Sequence, residues 1–495
     1  MYFTRKKSYF TLNSLRLGIF TALIKSAGSY VFWIFLAGIL IPSELNSFSL
    51  YYGVAFAFLG IVDMGISSIA QTEISQDSRK NDVWIFTLLF HGLMIILISI
   101  IYQLFIKTMQ SELFLLSLIS VYAYMLLWPF VRKVTESFGF SIQAQMHEIA
   151  LAIVLNMGIV FIYIYNPHTI SNYQLFWYIF CNCLGISLIL IYRFRKYFFA
   201  KPEKRFASGN FAGRIKHFFL KTKVFIIPCI VAFLYTYFER IFLSKGNNNN
   251  DIVQYVLTIC QQIMAFFIFP VAGMINQIWR KSAILNSNNK INHLSVFVNR
   301  LLNIYCELAL CLLLFIILWL RPLLFFFYSF NLSDYIVIFY VFLILGFTSG
   351  LGQLLGTVVN GMGLFREYAK NNLYLMLLGI FLNLFLLNFN FFSFHGLNLG
   401  LAGICIKIIV INFLTFGLFV AIIKKGTRKS ILHLIGIKLN IKRYYIYILP
   451  IFLFVVFSDI NHEQWIIMRV LLTFFLVAGN FKTIMTLTHS SILTI

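Results

Sequence analysis

Charge is what this sequence has least of. Asp, Glu, Lys and Arg together make up only 11% of the 495 residues, and just 16 residues are acidic. A soluble domain carries about 25%, so a water-facing globular fold is excluded. Several chemistries are missing as well. None of the seven cysteines forms a Cys-x-x-Cys pair, and Cys181-Asn-Cys183 has the wrong spacing for a zinc knuckle, so they read as small packing residues. No phosphate-cradling G-x-x-x-x-G-K-[ST] loop occurs, which argues against direct drive by ATP. Gly350-Leu-Gly352-Gln-Leu-Leu-Gly356 is not G-x-G-x-x-G, and no strand precedes it. His147-Glu148 lacks the second histidine of a zinc protease helix, and no metal-ligand cluster stands out. Residues 1–16 are polar and basic and the first apolar run is too long for a signal h-region, so no cleavable signal peptide is expected.

What is present is hydrocarbon. Hydrophobic residues make up 60% of the chain, aromatics 18%, and mean hydropathy is +0.87. A membrane-crossing helix needs about 20 apolar residues, and such runs recur near 17–41, 47–70, 83–106, 113–131, 146–165 and 173–192. Six more follow near 224–244, 252–279, 298–320, 335–360, 371–389 and 399–423. Two shorter candidates, 444–458 and 465–487, bring the expectation to about 14 transmembrane helices. The result is an all-α polytopic membrane protein: an N-lobe (1–192), a basic linker (193–223), a C-lobe (224–423), and a second basic linker with a C-terminal helix pair (424–495). Of 39 Lys and Arg, 31 fall in alternate connecting segments starting with the N-terminus, and only Lys107, Lys245 and Arg321 fall in the others. Basic residues stay cytoplasmic, so both termini are expected there. The net charge of +23 is therefore a topology signal, and no nucleic-acid partner is expected.

An ionisable residue inside a span costs roughly 2.5–3.5 kcal/mol on insertion scales and is a functional hypothesis by default. Lys25 shares a helical face with Gly18, Thr21, Ala22, Gly28 and Ser29. Asp63 shares one with Tyr52, Gly53, Phe56, Gly60, Ser67 and Ala70. Both faces suit a protein neighbour or a watery cavity rather than lipid. Lys25 and Asp63 are then either a structural ion pair or a cationic contact with its gate. Lys407 follows Gly396, Gly400 and Gly403 on one face, and Glu307 shares a face with Arg300, Asn303 and Cys311. Glu239-Arg240 lies near the outer end of its span, where snorkelling competes with a role in binding. Lys25, Lys407 and Arg240 are the candidate substrate-binding cations, and Asp63, Glu239 and Glu307 the candidate coupling or gating carboxylates. Uncharged residues such as Gln262, Asn383 and Asn412 read as interhelical hydrogen-bonding groups, each worth roughly 1 kcal/mol.

Several short stretches carry a family resemblance. They are Asp63-Met64-Gly65-Ile66, Tyr237-Phe-Glu239-Arg240 with Tyr255, Val359-Asn360-Gly361-Met362-Gly363, and Leu399-Gly400-Leu401-Ala402-Gly403. With span number and order, they make residues 10–425 resemble the polysaccharide-export branch of the multidrug/oligosaccharidyl-lipid/polysaccharide exporter superfamily, and within it the O-antigen (Wzx-type) flippases. Glu239 departs from the pattern, which has Asp before the arginine. The resemblance implies two six-helix lobes around a central cavity that opens alternately to either side of a bacterial inner membrane. It implies undecaprenyl pyrophosphate bearing an oligosaccharide as substrate, membrane lipids as surroundings, and other polysaccharide-assembly membrane proteins as partners.

A pyrophosphate is a compact anion, and lysines in a low-dielectric cavity suit it. No cofactor is expected; coupling to a proton or sodium gradient would use the carboxylates. Two other readings stay open. An ion-coupled drug exporter shares the fold and would favour acidic cavity residues. A membrane-embedded polysaccharide polymerase would need a large outer loop with arginines, which this chain lacks.

Overall fold

The computed structural model describes residues 31–33, 35–67, 70, 82–103, 111–138, 140, 142–165, 170–199, 211–245, 253–272, 291–327, 335–387, 390–391, 394–427 and 470–473, with Ser141 and isolated positions from 20 to 29 and 278 to 286. It is helical almost throughout. In chain order the helices are α1 (Pro42–Asp63), α2 (Asp82–Ile101), α3 (Ser111–Tyr122), a π-helical turn (Ala123–Leu127), α4 (Trp128–Ser137), α5 (Ser141–Tyr165), α6 (Asn172–Arg193) and α7 (Arg195–Phe198). There follow α8 (Phe211–Lys245), α9 (Val253–Ala272), α10 (Ile291–Phe327), α11 (Ile336–Gly361), α12 (Phe365–Leu386) and α13 (Gly400–Thr427). Among the described residues, ten helices are long and apolar enough to cross a membrane. The expected span 444–458 and most of 465–487 lie outside the described residues, as does Lys25.

Local chemistry sets the helix ends. Pro42 opens α1, where its missing N–H is no loss, and Glu44 in the first turn suits the helix dipole. α1 ends at Met64, which is left-handed at φ 43°, followed by Gly65 at φ 76°. α6 opens on a reciprocal capping box between Ser171 and Gln174. α11 closes through Gly363, at φ 78°, with the Gly363 N–H donating to Asn360 O and Leu364 N–H to Val359 O. Pro228 inside α8 and Pro322 inside α10 are tolerated, as they are in membrane helices whose neighbours satisfy the freed backbone groups.

The helices run further than the apolar runs that mark them. α8 begins at Phe211, inside the segment expected as a linker. Arg132 and Lys133 are on α4, Arg321 on α10, and Arg366 and Lys370 on α12, where loops were expected. Residues such as Arg, Lys and Leu propagate a helix readily. A two-residue antiparallel pair, β1 (Asn390–Phe391) with β2 (Phe394–His395), lies between α12 and α13. The cysteines are all free.

The described residues divide into two compact units. One takes those of Val31–Thr258 and Met376–Ile404, the other those of Gly18–Tyr30, Ile259–Leu375 and Cys405–Ile495. In the first, α1 packs against α3 and α8. Its core holds an aromatic cluster in which Trp33 meets Phe48 at 5.7 Å and Tyr52 at 5.3 Å between ring centroids, and Phe48 stacks on Phe176 at 4.5 Å. In the second, Tyr305 on α10 reaches the carbonyls of Phe267 and Phe347 at 3.2 and 3.0 Å, while α10 packs on α11.

Candidate functional site

Asp63 stands where α1 breaks. Its Oδ1 accepts from the Ser67 N–H at 3.0 Å, across the left-handed Met64–Gly65 link, and lies 3.2 Å from His91 Nε2 on α2. The other ring nitrogen of His91 is 3.3 Å from the Tyr122 hydroxyl at the end of α3. The imidazole is completely buried, whereas the Asp63 side chain is 20% exposed, so the carboxylate is the accessible end of the chain. The partner that Asp63 has among the described residues is therefore His91. Phe56, expected on the inward face with Asp63, is 47% exposed.

Arg240 occupies a polar socket. Its Nη1 lies 3.1 Å from Thr258 Oγ1, 3.3 Å from Gln254 Oε1 and 3.4 Å from Gln254 O. Gln254 answers by donating from Nε2 to Arg240 O at 2.7 Å, and its own N–H donates to Asn46 Oδ1 at 2.9 Å. Next to Gln254 on α9, the Tyr255 hydroxyl donates to Trp33 O at 2.8 Å. Arg240 is 3% and Glu239 5% exposed, so of the two readings of Arg240 the side chain is buried rather than snorkelling. Neighbouring acceptors and the bare Cα of Gly53 give the guanidinium a place inside. Asn383 Nδ2 donates to Tyr235 O at 3.0 Å, which ties α12 to α8.

A second ionic cluster joins α4 to α5. Arg132 Nη1 meets Glu148 Oε2 at 2.6 Å and its Nε meets Glu136 Oε1 at 3.6 Å, with Glu148 only 3% exposed. The arginine sits here rather than in a loop because α4 continues beyond the apolar run.

In the second unit, Lys407 on α13 is 1% exposed and Glu307 on α10 is half-buried. Gly396 precedes α13 and so lies off any helical face with Gly403. Even so, a β-carbon at Gly396 would strike Leu387 O, and one at Gly403 would lie 3.0 Å from Leu386 O. The glycines do permit close approach, but through a turn as well as a helix. Asn412 Nδ2 faces Thr348 Oγ1 and Ser349 Oγ, both at 2.9 Å, and Ser29 donates to Gln262 Oε1 at 2.8 Å. These uncharged groups are engaged in interhelical bonds.

Asp63, Glu239 and Arg240 thus fall in the first unit and Glu307 and Lys407 in the second. Sequence reasoning missed His91. Its signal was available, since it is an ionisable residue in the middle of an apolar run, but it escapes a search for formal charge.

No known family's sequence model matches this chain, nor does any curated protein sequence. The fold does match. An inward-facing multidrug resistance MATE family transporter of the MOP superfamily superposes with a TM-score of 0.60 at 14% identity, covering 84% of this chain and 99% of that one. An outward-facing MATE family transporter gives 0.56 at 15%, covering 84% and 96%. A MOP superfamily transporter from Pyrococcus furiosus gives 0.56 at 15%, covering 85% and 97%. This multi-pass chain, helical almost throughout its described residues, has the fold of MATE transporters.

Proposed function

We propose that this protein is a flippase that carries undecaprenyl-pyrophosphate-linked oligosaccharide, an O-antigen or related unit, from the cytoplasmic to the periplasmic leaflet of a bacterial inner membrane by alternating access. The observation that carries this reading is a transporter fold whose membrane helices hold buried cations, Lys407 at 1% and Arg240 at 3% exposure. An ammonium or guanidinium withdrawn from water is costly unless an anion or a set of dipoles meets it. In this conformation Arg240 is committed to its socket, so contact with a pyrophosphate belongs to a state in which α8 and α9 have parted from α1. Lys25 and Lys407 supply the remaining positive charge. The carboxylates Asp63, Glu239 and Glu307 couple or gate the cycle against an ion gradient, with no bound cofactor.

The drug-exporter reading draws on the multidrug resistance transporters with the same fold and on the accessible Asp63. Against it, the transporter from Pyrococcus furiosus is described as having a binding pocket of reverse polarity that suggests a different function, so the fold is compatible with more than one class of cargo.

The deciding measurement is the lipid-linked material that accumulates in a deletion strain. Pyrophosphate-linked oligosaccharide held in the inner leaflet is expected, restored to normal by the wild-type gene and not by Lys25→Ala or Lys407→Ala. Full-length surface polysaccharide without that intermediate, together with increased drug susceptibility, would replace this reading with drug export.

A further inference from the structure

We infer that the turn after α6 is a binding surface for anionic phospholipid headgroups, built by Arg193, Arg195 and Lys196 between exposed aromatic rings. It holds for any cargo the protein carries. All three cations are exposed, and the rings beside them are Tyr192 at 69%, Tyr197 at 40% and Phe199 at 59% exposure. The inward members of the same stretch are Phe194 and Phe198, four residues apart and both buried. The segment is therefore amphipathic, with an apolar underside and a cationic, aromatic outer face.

Four span ends meet at this turn, which sets its depth. α6 leaves its apolar span at Arg193 and the rod ending in α4 leaves at Glu136, while α2 and α5 enter theirs at Val83 and Ile142. The Trp84 indole N–H donates to Phe198 O at 2.9 Å, and its ring meets Phe198 and Phe199 at 5.1 and 5.5 Å between centroids. Phe138 meets Phe198 at 5.4 Å, and Phe140 meets Phe194 at 4.5 Å and Tyr197 at 4.7 Å. Residues that end four spans on one side lie where hydrocarbon gives way to headgroups. Tryptophan and tyrosine are enriched at that depth.

The side-chain chemistry suits a phosphodiester. Arg195 Cζ lies 4.9 Å over the Tyr192 ring and Arg193 Cζ 5.9 Å over that of Phe194. Stacking orients a guanidinium by its face and leaves its N–H edge for a phosphate, which it can meet with two parallel bonds. Lys196 adds a point charge, and rings at this depth settle at the boundary of headgroup and acyl chain. Charge complementarity selects the anionic headgroup, since each cation beside a negative leaflet surface changes affinity roughly fivefold. Basic segments are expected on the cytoplasmic side, where the leaflet is negative.

A basic turn that served topology alone would need only its charge. This one is also fixed in shape. The Phe198 N–H donates to Phe194 O at 3.2 Å and the Phe199 N–H to Arg195 O at 2.9 Å, which closes α7, and the Trp84 indole holds the last carbonyl of that helix. A headgroup site depends on this shape, whereas a topology signal does not.

The test uses the full-length protein in phosphatidylcholine nanodiscs. These are doped with phosphatidylglycerol, or with further phosphatidylcholine, carrying a photoreactive group beside the headgroup, and adducts are mapped by peptide mass spectrometry. Labelling of residues 192–199 by phosphatidylglycerol about fivefold or more above phosphatidylcholine is expected. Arg193→Gln/Arg195→Gln/Lys196→Gln should abolish that preference. Arg366→Gln/Lys424→Gln/Lys425→Gln, which removes three other exposed cations, should leave it intact. Trp84→Phe keeps every charge and should lower the preference by releasing Phe198 O, a readout that survives if the first triple variant fails to insert. Equal labelling by the two lipids, equal loss in the two triple variants, or a preference unchanged in Trp84→Phe would overturn the inference. Labelling lost to inorganic phosphate but not to chloride of equal ionic strength would also overturn it, by making the turn a site for a soluble anion.

Discussion

The guanidinium of Arg240 fills the space that a β-carbon on Gly53 would need. An ideal β-carbon there would collide with Arg240 Nε and lie 2.7 Å from Cζ, so the absence of a side chain on α1 is what lets an arginine from α8 lie between helices. Position 53 and position 240 are thus one feature, drawn from two helices far apart in the chain.

Gly53→Ala is expected to destabilise the protein by about 1–3 kcal/mol through overpacking, because the arginine it displaces is already bound to Gln254 and Thr258. Gly92→Ala is the control. Nothing lies within 4 Å of a β-carbon at Gly92, so the same substitution there should be neutral or stabilising by about 0.5–1 kcal/mol. Thermal unfolding in detergent reads both, and equal shifts would contradict the geometry.

Arg132→Met should cost about 3–5 kcal/mol, since it leaves Glu148 buried without its guanidinium. The double variant Arg132→Met/Glu148→Leu should recover most of that loss. Denaturant titration of the four proteins gives the coupling; an additive double variant would mean that the 2.6 Å contact contributes nothing specific.

Gly363 has open space around it but a φ of 78°. Gly363→Ala is therefore expected to cost about 1 kcal/mol from backbone strain alone, while Gly363→Asn should cost less, since Asn tolerates the left-handed region. Melting temperatures in that order would assign the Val359–Gly363 stretch to ending α11.

Asn412→Leu removes a donor that faces Thr348 and Ser349. A loss of about 0.5–2 kcal/mol is expected, with protein still inserted and export reduced in proportion to the amount folded. Export abolished at full abundance would instead make Asn412 a substrate contact.

Much of the fold was legible because hydrocarbon length sets span length: the runs near 47–70, 146–165 and 399–423 correspond to α1, α5 and α13. Their ends were less legible, since hydropathy marks where apolar residues stop and the backbone ladder of α8 and α10 does not stop there. Of the candidate site, Asp63 and Arg240 stood out as charges in apolar runs. Their partners did not. His91 carries no formal charge in a neutral tally, Gln254 and Thr258 are ordinary polar residues of α9, and the socket at Gly53 depends on which helices meet. The sequence pairing of Lys25 with Asp63 relied on similar depth, and Lys25 lies outside the described residues; the contact of Asp63 with His91 follows from α2 passing beside the end of α1.

The π-helical turn at Ala123–Leu127 accommodates one extra residue in a path that would otherwise be continuous α-helix from Ser111 to Ser137. One residue is about 100° of rotation. Everything upstream, including Tyr122, keeps one angular phase, and everything downstream, including Arg132 and Glu136, is turned to another. Two ionic systems can therefore use a single rod while pointing in directions that no uninterrupted 3.6-residue wheel would give them. A one-residue deletion anywhere in the turn would leave composition and hydropathy almost untouched, yet swing Arg132 away from Glu148 while Tyr122 stayed on His91. The register of this helix is information that its periodicity conceals.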